Sequence, residues 1–383
     1  MDLHAVLRRA VEHGASDVHL KLGRPPVLRR DGELEEMDDS GPLGEADLDE
    51  VLGLVAPSDK ADRFRETGDL DLAYQADGLP RFRVNAFRQR GATSFAFRVI
   101  PARVPSFGEL GLPPGVERLA DEHRGLILVT GATGSGKTTT LAAIVDRINR
   151  TRRSHIVTIE DPIEIVHEDA ECVVSQREVG LDTASFDEAL RRALRQDPDV
   201  ILIGELRDAE TAHTALQAAE SGHLVLSTLH TIDAAETCGR IIKFFPPEKQ
   251  HVIRSVLAGV LRGVVSQRLL PAAGGGRAAA VEVMVVNARI ADLIREWRPD
   301  EIIDAIADGD FLLMQTFQQA LIELTLSGRV EQEVAANAAS NRHDFLIALE
   351  RAVKQQRADK HAPPAPLEPP APELVAAGLR LGS

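Results

Sequence analysis

At 383 residues the chain is too long for one compact core, so two domains with appendages are expected. Its two isolated cysteines, Cys172 and Cys238, exclude a disulfide framework and a cysteine-based zinc site, and point to a reducing compartment. A formal net charge of −15 argues against a nucleic-acid motor, because phosphate backbones are held by lysine and arginine, although a local basic stripe could still track DNA. No apolar run reaches the length of a membrane span and Met1-Asp2-Leu3-His4 opens no cationic, apolar leader, so a cytoplasmic protein is expected.

The first hundred residues predict a small α/β domain. Residues 3–13 space their apolar side chains as an amphipathic helix, 17–22 alternate as a half-buried strand, and 27–32 form a strand entering a turn. After a polar, helical middle come strands at 69–74, 81–87 and 94–100. Pro101, Pro105, Pro113 and Pro114 then mark a linker over 101–114. From residue 115 strands alternate with helices, which predicts a largely parallel sheet covered on both faces, with strands at 125–130, 155–160, 172–176, 200–203, 224–228 and 279–285. Ser185-Phe186-Asp187-Glu188 predicts a capping box opening a helix to Arg195, and Asp208 starts another that stops at Gly222. The core is expected over 115–287, a helical region over 288–357 with helices at 288–295, 301–307, 314–327 and 342–356, and a disordered Pro/Ala-rich tail over 358–383. No internal repeat is present.

Gly131-Ala132-Thr133-Gly134-Ser135-Gly136-Lys137-Thr138 matches the phosphate-binding pattern G-x-x-x-x-G-K-[ST] at every fixed position. It lies between an apolar strand and the helical run that opens at Thr139-Thr140, which is the context the pattern requires. Glycines let backbone N–H groups turn onto phosphate oxygens, and the helix N-terminus adds the positive end of its dipole. Lys137 would reach the β- and γ-phosphates of ATP, and the Thr138 hydroxyl would ligate Mg²⁺.

Four further segments bear on what happens to the triphosphate. Glu160, Asp161 and Glu164 crowd the end of one strand, where carboxylates can orient water around Mg²⁺ and take its proton; a charged loop closing a strand would look the same. Asp199-Val200-Ile201-Leu202-Ile203-Gly204-Glu205 is an apolar strand ending in an acid, the form of a Walker B element that holds the metal shell. His230 ends the strand that His223 precedes, where imidazole can sense a γ-phosphate or simply hydrogen-bond. Arg83 and Arg98 alternate on strands of the first domain, as a solvated face or as arginine fingers.

Together these segments resemble the secretion-type hexameric ATPases, most closely the type IV pilus retraction ATPases of the PilT family with its PilU relative. The likeness rests on 15–20, 81–87, 131–138, 158–164, 174–179 and Gly204-Glu205-Leu206-Arg207-Asp208, with the histidine segment and Met314-Gln315-Thr316-Phe317. It implies a PAS-like N-terminal domain joined to a RecA-like P-loop domain, a homohexamer, and ATP between the domains. Glu164 matches the catalytic glutamate that activates water, Glu205 the Walker B glutamate near Mg²⁺, Arg83 and Arg98 the phosphate-sensing arginines, and His223 with His230 the histidine box. By resemblance the catalytic set is Glu164, Glu205, Lys137, Arg83, Arg98 and His230, the nucleotide contacts run from Gly131 to Thr139, and Thr138, Glu205 and Asp161 face the metal.

Residues 288–296 resemble the family's AIRNLIRE motif and keep its Leu293-Ile294-Arg295-Glu296 end, whereas Phe244-Phe245-Pro246 and Ser266-Gln267-Arg268-Leu269 look like the PilU branch. The segment also reads as an amphipathic helix burying Ile290, Leu293 and Ile294. The absence of the tetracysteine module typical of extension and secretion ATPases favours filament disassembly. The implied partners are an inner-membrane pilus platform protein, met peripherally at the inner face of the cytoplasmic membrane, and a paralogous retraction ATPase; no nucleic acid is expected. The rivals are a type II or type IV secretion or pilus-assembly ATPase, a non-hydrolysing ATP-gated scaffold, and a DNA-translocating motor.

Overall fold

The computed structural model describes residues 1–30, 32–37, 40–100 and 103–361. Asp31 in the first turn, Pro101 of the linker and the Pro/Ala-rich segment from Ala362 onward lie outside the described residues.

The chain opens with α1 (Leu3–Glu12), whose first turn is capped by Asp2 accepting from Ala5 N at 3.0 Å. Strands β1 (Asp17–Lys21), β2 (Val27–Arg30) and β3 (Glu33–Glu36) follow, then α2 (Glu45–Val55) and α3 (Ser58–Thr67), then β4 (Asp69–Tyr74), β5 (Phe82–Gln89) and β6 (Ala92–Val99). The six strands form one antiparallel sheet in the order β3-β2-β1-β6-β5-β4. Its apolar face, with Val18, Leu20, Phe82, Val84, Phe95 and Phe97, buries against Leu3, Leu7, Leu48 and Phe64 of the helices. β3 is unforeseen because Glu33-Leu34-Glu35-Glu36 is exposed throughout and shows no apolar alternation; acidic side chains suit an edge strand. On the opposite face the register aligns Arg29, Asp17, Arg98 and Arg83 in one row across β2, β1, β6 and β5.

Two short helices, α4 (Phe107–Leu110) and α5 (Pro114–Ala120), lead into the larger body, with Val116 and Leu119 in its core. There β7 (Gly125–Thr130) is followed by α6 (Lys137–Thr151), β8 (His155–Glu160), β9 (Val173–Glu178), α7 (Phe186–Ala193), β10 (Val200–Ile203), α8 (Ala209–Glu220), β11 (Leu224–Leu229), α9 (Ala234–Lys243), α10 (Gln250–Val260), β12 (Leu261–Pro271) and β13 (Arg277–Val285). The seven strands are ordered β13-β12-β7-β11-β10-β8-β9 and are parallel except for the β12–β13 hairpin. β7, β10 and β11 are buried at every position, as expected of a sheet covered on both faces.

Three local readings change. β12, next to β7, was not predicted: α10 runs into it with no connecting residues, and the glycines on either side, Gly259 and Gly263, lie within the two elements rather than in a turn between them. The capping box at Ser185 is one-sided, with Ser185 Oγ accepting from Glu188 N at 3.2 Å while Glu188 turns to Arg192 at 3.3 Å. The helix expected over 314–327 is α13 (Phe317–Leu326), because Thr316 caps it and accepts from Gln319 N.

The rest of the C-terminal region comprises α11 (Ala288–Glu296), α12 (Ile302–Ala307), α14 (Gln332–Ala338) and α15 (Arg342–His361), which carries the last helix into the segment expected to be disordered. α11 buries Ile290, Leu293 and Ile294 as its periodicity predicts. α13 to α15 close a small core with Leu270, Ala278 and Ala280 of the hairpin.

Candidate functional site

Parallel strands carry their loops out at their C-terminal ends, and here those ends open on one cleft of about 750 Å³, within the range of small-ligand pockets. The glycine loop joins β7 to α6 on one wall. Gly131 has φ 142° and a Cβ there would stand 2.5 Å from both Gln267 O and Ser135 Oγ, so no larger residue fits. Gly136, at φ 91°, caps α6 and leaves the first N–H groups of that helix without intrahelical partners. Thr133, Gly134, Gly136, Lys137, Thr138 and Thr139 line the cleft, whereas Gly131, Ala132 and Ser135 do not. Gly131 and Ser135 are buried beneath the loop, and the Ser135 hydroxyl has no hydrogen-bond partner. Lys137 Nζ donates to Gly131 O at 2.8 Å and Ala132 O at 3.0 Å. Burial lowers the pKa of its ammonium, against the opposing charges of Glu205 and Glu164.

The carboxylates come from the ends of β8 and β10. Glu160 is buried, accepts from Thr158 Oγ1 at 2.6 Å and Gln176 Nε2 at 3.1 Å, and has its pKa raised by that burial. Asp161 and Glu164, both exposed, follow on a loop that buries Ile163 and Ile165, and both line the cleft. Glu205, just past β10, accepts from Arg207 Nε at 2.9 Å and lies 3.3 Å from His230 Nε2. Arg207 also approaches Asp161, at 3.9 Å. The end of β10 is fixed by Ser227 Oγ and Thr228 Oγ1, which donate to Ile203 O and Gly204 O at 2.7 and 2.6 Å. His223 sits at the opposite end of β11, bonded to Ala218 O and Ser221 Oγ, so only His230 of the histidine pair faces the cleft.

The other wall belongs to the first sheet. Arg83 and Arg98 are in register on β5 and β6 and both line the cleft. Like charges directly opposite are unfavourable, and one buried carboxylate offsets them: Asp17 accepts from Arg98 Nε at 2.9 Å and from Ser16 Oγ at 2.8 Å. All six residues expected to act in catalysis, and all three expected to face a metal, therefore meet in one cleft.

Three contributors escaped the sequence reading. Arg207 stands within the quoted segment at 204–208 and was open to recognition. Arg277, from the start of β13, lines the cleft but follows a glycine turn that carries no signal. The pair Arg81–Glu178, behind the cleft, joins residues 97 apart in sequence.

The family model for "Type II/IV secretion system protein" matches residues 1–288, which include every residue of the cleft. The chain belongs to the type II/IV secretion system protein family. It is similar to the type IV pilus retraction ATPase PilT of Pseudomonas aeruginosa, at 44% identity over 90% of this chain and 100% of that protein. It is also similar to the type IV pilus ATPase PilU of the same organism, at 39% identity over 91% of each chain. Whole-chain identity is thus higher to the PilT relative, despite the PilU-like segments at 244–246 and 266–269. A crystal structure of the pilus retraction motor PilT with bound ADP superposes with a TM-score of 0.85 at 44% identity, covering 90% of this chain and 98% of that one. Family membership and this superposition bear out the expected fold class, an N-terminal α/β domain followed by a P-loop ATPase domain with C-terminal helices.

Proposed function

We infer that this chain hydrolyses ATP to drive type IV pilus retraction, working as a homohexamer on the inner face of the cytoplasmic membrane. The observation that carries the reading is the meeting of Lys137, Glu164, Glu205, Arg83 and Arg98 in one cleft between two sheets. In this reading residues 1–100 are a PAS-like domain and 115–287 a RecA-like core. The partners are an inner-membrane platform protein and a paralogous ATPase. No helix among the described residues is long and apolar enough to cross a membrane, in keeping with peripheral contact.

Chemically, the N–H groups from Gly134 to Thr139 bind the phosphates at the positive end of α6, and Lys137 turns from its own loop carbonyls to the β- and γ-oxygens. The donor set also fits Mg²⁺: the Thr138 hydroxyl and the carboxylates of Glu205 and Asp161 are hard oxygen donors on one cleft. That ion would supply charge neutralisation at the β- and γ-phosphates. Glu164, exposed on the cleft, accepts the proton of the attacking water, and Glu205 would help to hold the metal ion. Arg83 and Arg98 meet the charge that develops on the γ-phosphate from the opposite wall, while His230 beside Glu205 senses its departure. Loss of the γ-phosphate removes what the two walls share, so hydrolysis loosens one sheet from the other.

The test is ATP hydrolysis by the purified chain. Wild type is expected to turn over ATP with Mg²⁺, and Glu164→Gln to lose about 100-fold or more in kcat, the usual scale for removing a general base. Activity unchanged in Glu164→Gln would remove that residue from the role.

A further inference from the structure

We propose that the ion pair between Arg81 and Glu178 is a positioning contact that sets Glu164 and Arg83 across the cleft from one another. The inference rests on the reading of Glu164 and Arg83 as working residues in ATP hydrolysis.

Arg81 Nη2 donates to Glu178 Oε2 at 2.6 Å, and the two side chains are only 18% and 6% exposed. They belong to different sheets: Arg81 immediately precedes β5, and Glu178 is the last residue of β9. A buried ion pair forfeits hydration on both sides, so it contributes little net stability over apolar packing. What such a pair does supply is geometry. The same oxygen, Glu178 Oε2, also accepts from Ile163 N at 3.3 Å, one residue before Glu164. Glu178 is itself tethered, its N–H donating to Asp182 Oδ2 at 2.8 Å.

On the other side of the pair, Arg81 is anchored through its carbonyl, which accepts from Ile100 N at 2.9 Å. Side chains on a strand repeat their direction every second residue, so the face that sends Arg81 to Glu178 sends Arg83 to the cleft. A single carboxylate oxygen thus holds the loop that carries Glu164 and the strand that carries Arg83.

A second observation shows what the cation prevents. Glu160 and Glu178 are in register on the neighbouring strands β8 and β9, both buried. Without Arg81 these two buried carboxylates would stand side by side uncompensated, and Glu178, the one that holds Ile163 N, would be pushed from its place. Loss of the pair therefore displaces Glu164 and leaves the phosphate-binding loop, on a different strand, in place.

The experiment is steady-state hydrolysis and nucleotide binding by the full chain carrying Arg81→Met, Glu178→Gln, both together, or Arg81→Lys. Each of the first two is expected to lower kcat about 10-fold, the scale of a small misplacement of reacting groups, with KM and the Kd for a fluorescent ATP analogue within about threefold of wild type. The double variant is expected to be no slower than the slower single, because both substitutions break one contact, and Arg81→Lys to recover part of the rate. If Arg81→Met shows no cooperative melt, Glu178→Gln decides, since it keeps the shape and the acceptor for Ile163 N. A folded variant with kcat within twofold of wild type, or single effects that multiply in the double, overturns the proposal. A wild-type chain no more active than Glu164→Gln overturns the hydrolysis reading, and the proposal with it.

Discussion

Lys137 shows how much a short segment can specify. Its Nζ already caps the carbonyls of Gly131 and Ala132, so it must exchange partners to reach a phosphate. Lys137→Ala removes the cation and leaves the loop glycines untouched; ATP affinity is expected to fall at least about 10-fold by equilibrium titration, the order of one charge-assisted contact. Gly131→Ala should be worse, since its Cβ has no space beside Gln267 O and its φ disfavours any L side chain. The glycine loop was legible because its residues are contiguous and its spacing is set by phosphate geometry. Arg83, Arg98 and His230 could be named as candidates locally, but only the resemblance decided between their alternative roles, since an arginine on an alternating strand carries no local mark of its task. Arg81 with Glu178 was out of reach altogether, because nothing in either segment encodes a partner 97 residues away.

At the scale of elements, the hydrophobic runs that become buried parallel strands were the most readable part, as β7, β10 and β11 illustrate. β12 was not, because α10 passes directly into it with no turn residues between, and Gly259 and Gly263 fall inside the two elements. That strand also bears a tight contact: a Cβ on Gly263 would lie 2.5 Å from Leu119 Cδ2 and 2.7 Å from Met284 O. Gly263→Ala is therefore expected to destabilise the chain by about 1–3 kcal/mol in denaturant melts, as overpacking does.

Glu282 on β13 couples the hairpin to α9. Its buried carboxylate accepts from Ala234 N at 2.9 Å, and burial pushes its pKa from 4.5 up to about 7. The folded chain then holds this proton more tightly than the unfolded chain does. The contribution to stability is complete below the unfolded value of 4.5 and is lost as pH rises through about 7. Glu282→Gln is expected to flatten that part of the Tm profile; an unchanged slope would count against the buried proton.

Across the whole molecule, the site is made by neither sheet alone. The RecA-like side brings the phosphate loop and the carboxylates, the antiparallel side brings a pair of in-register arginines, and Asp17 holds one of them. Arg83→Ala and Arg98→Ala should each reduce kcat more than nucleotide affinity, since both act on charge that grows toward the transition state. The most direct measurement is surface piliation together with twitching in a strain lacking this chain, complemented by wild type or by Glu164→Gln. Excess surface pili without twitching, restored by wild type and not by Glu164→Gln, is the expected result. Normal piliation and twitching with blocked protein export would contradict a retraction motor.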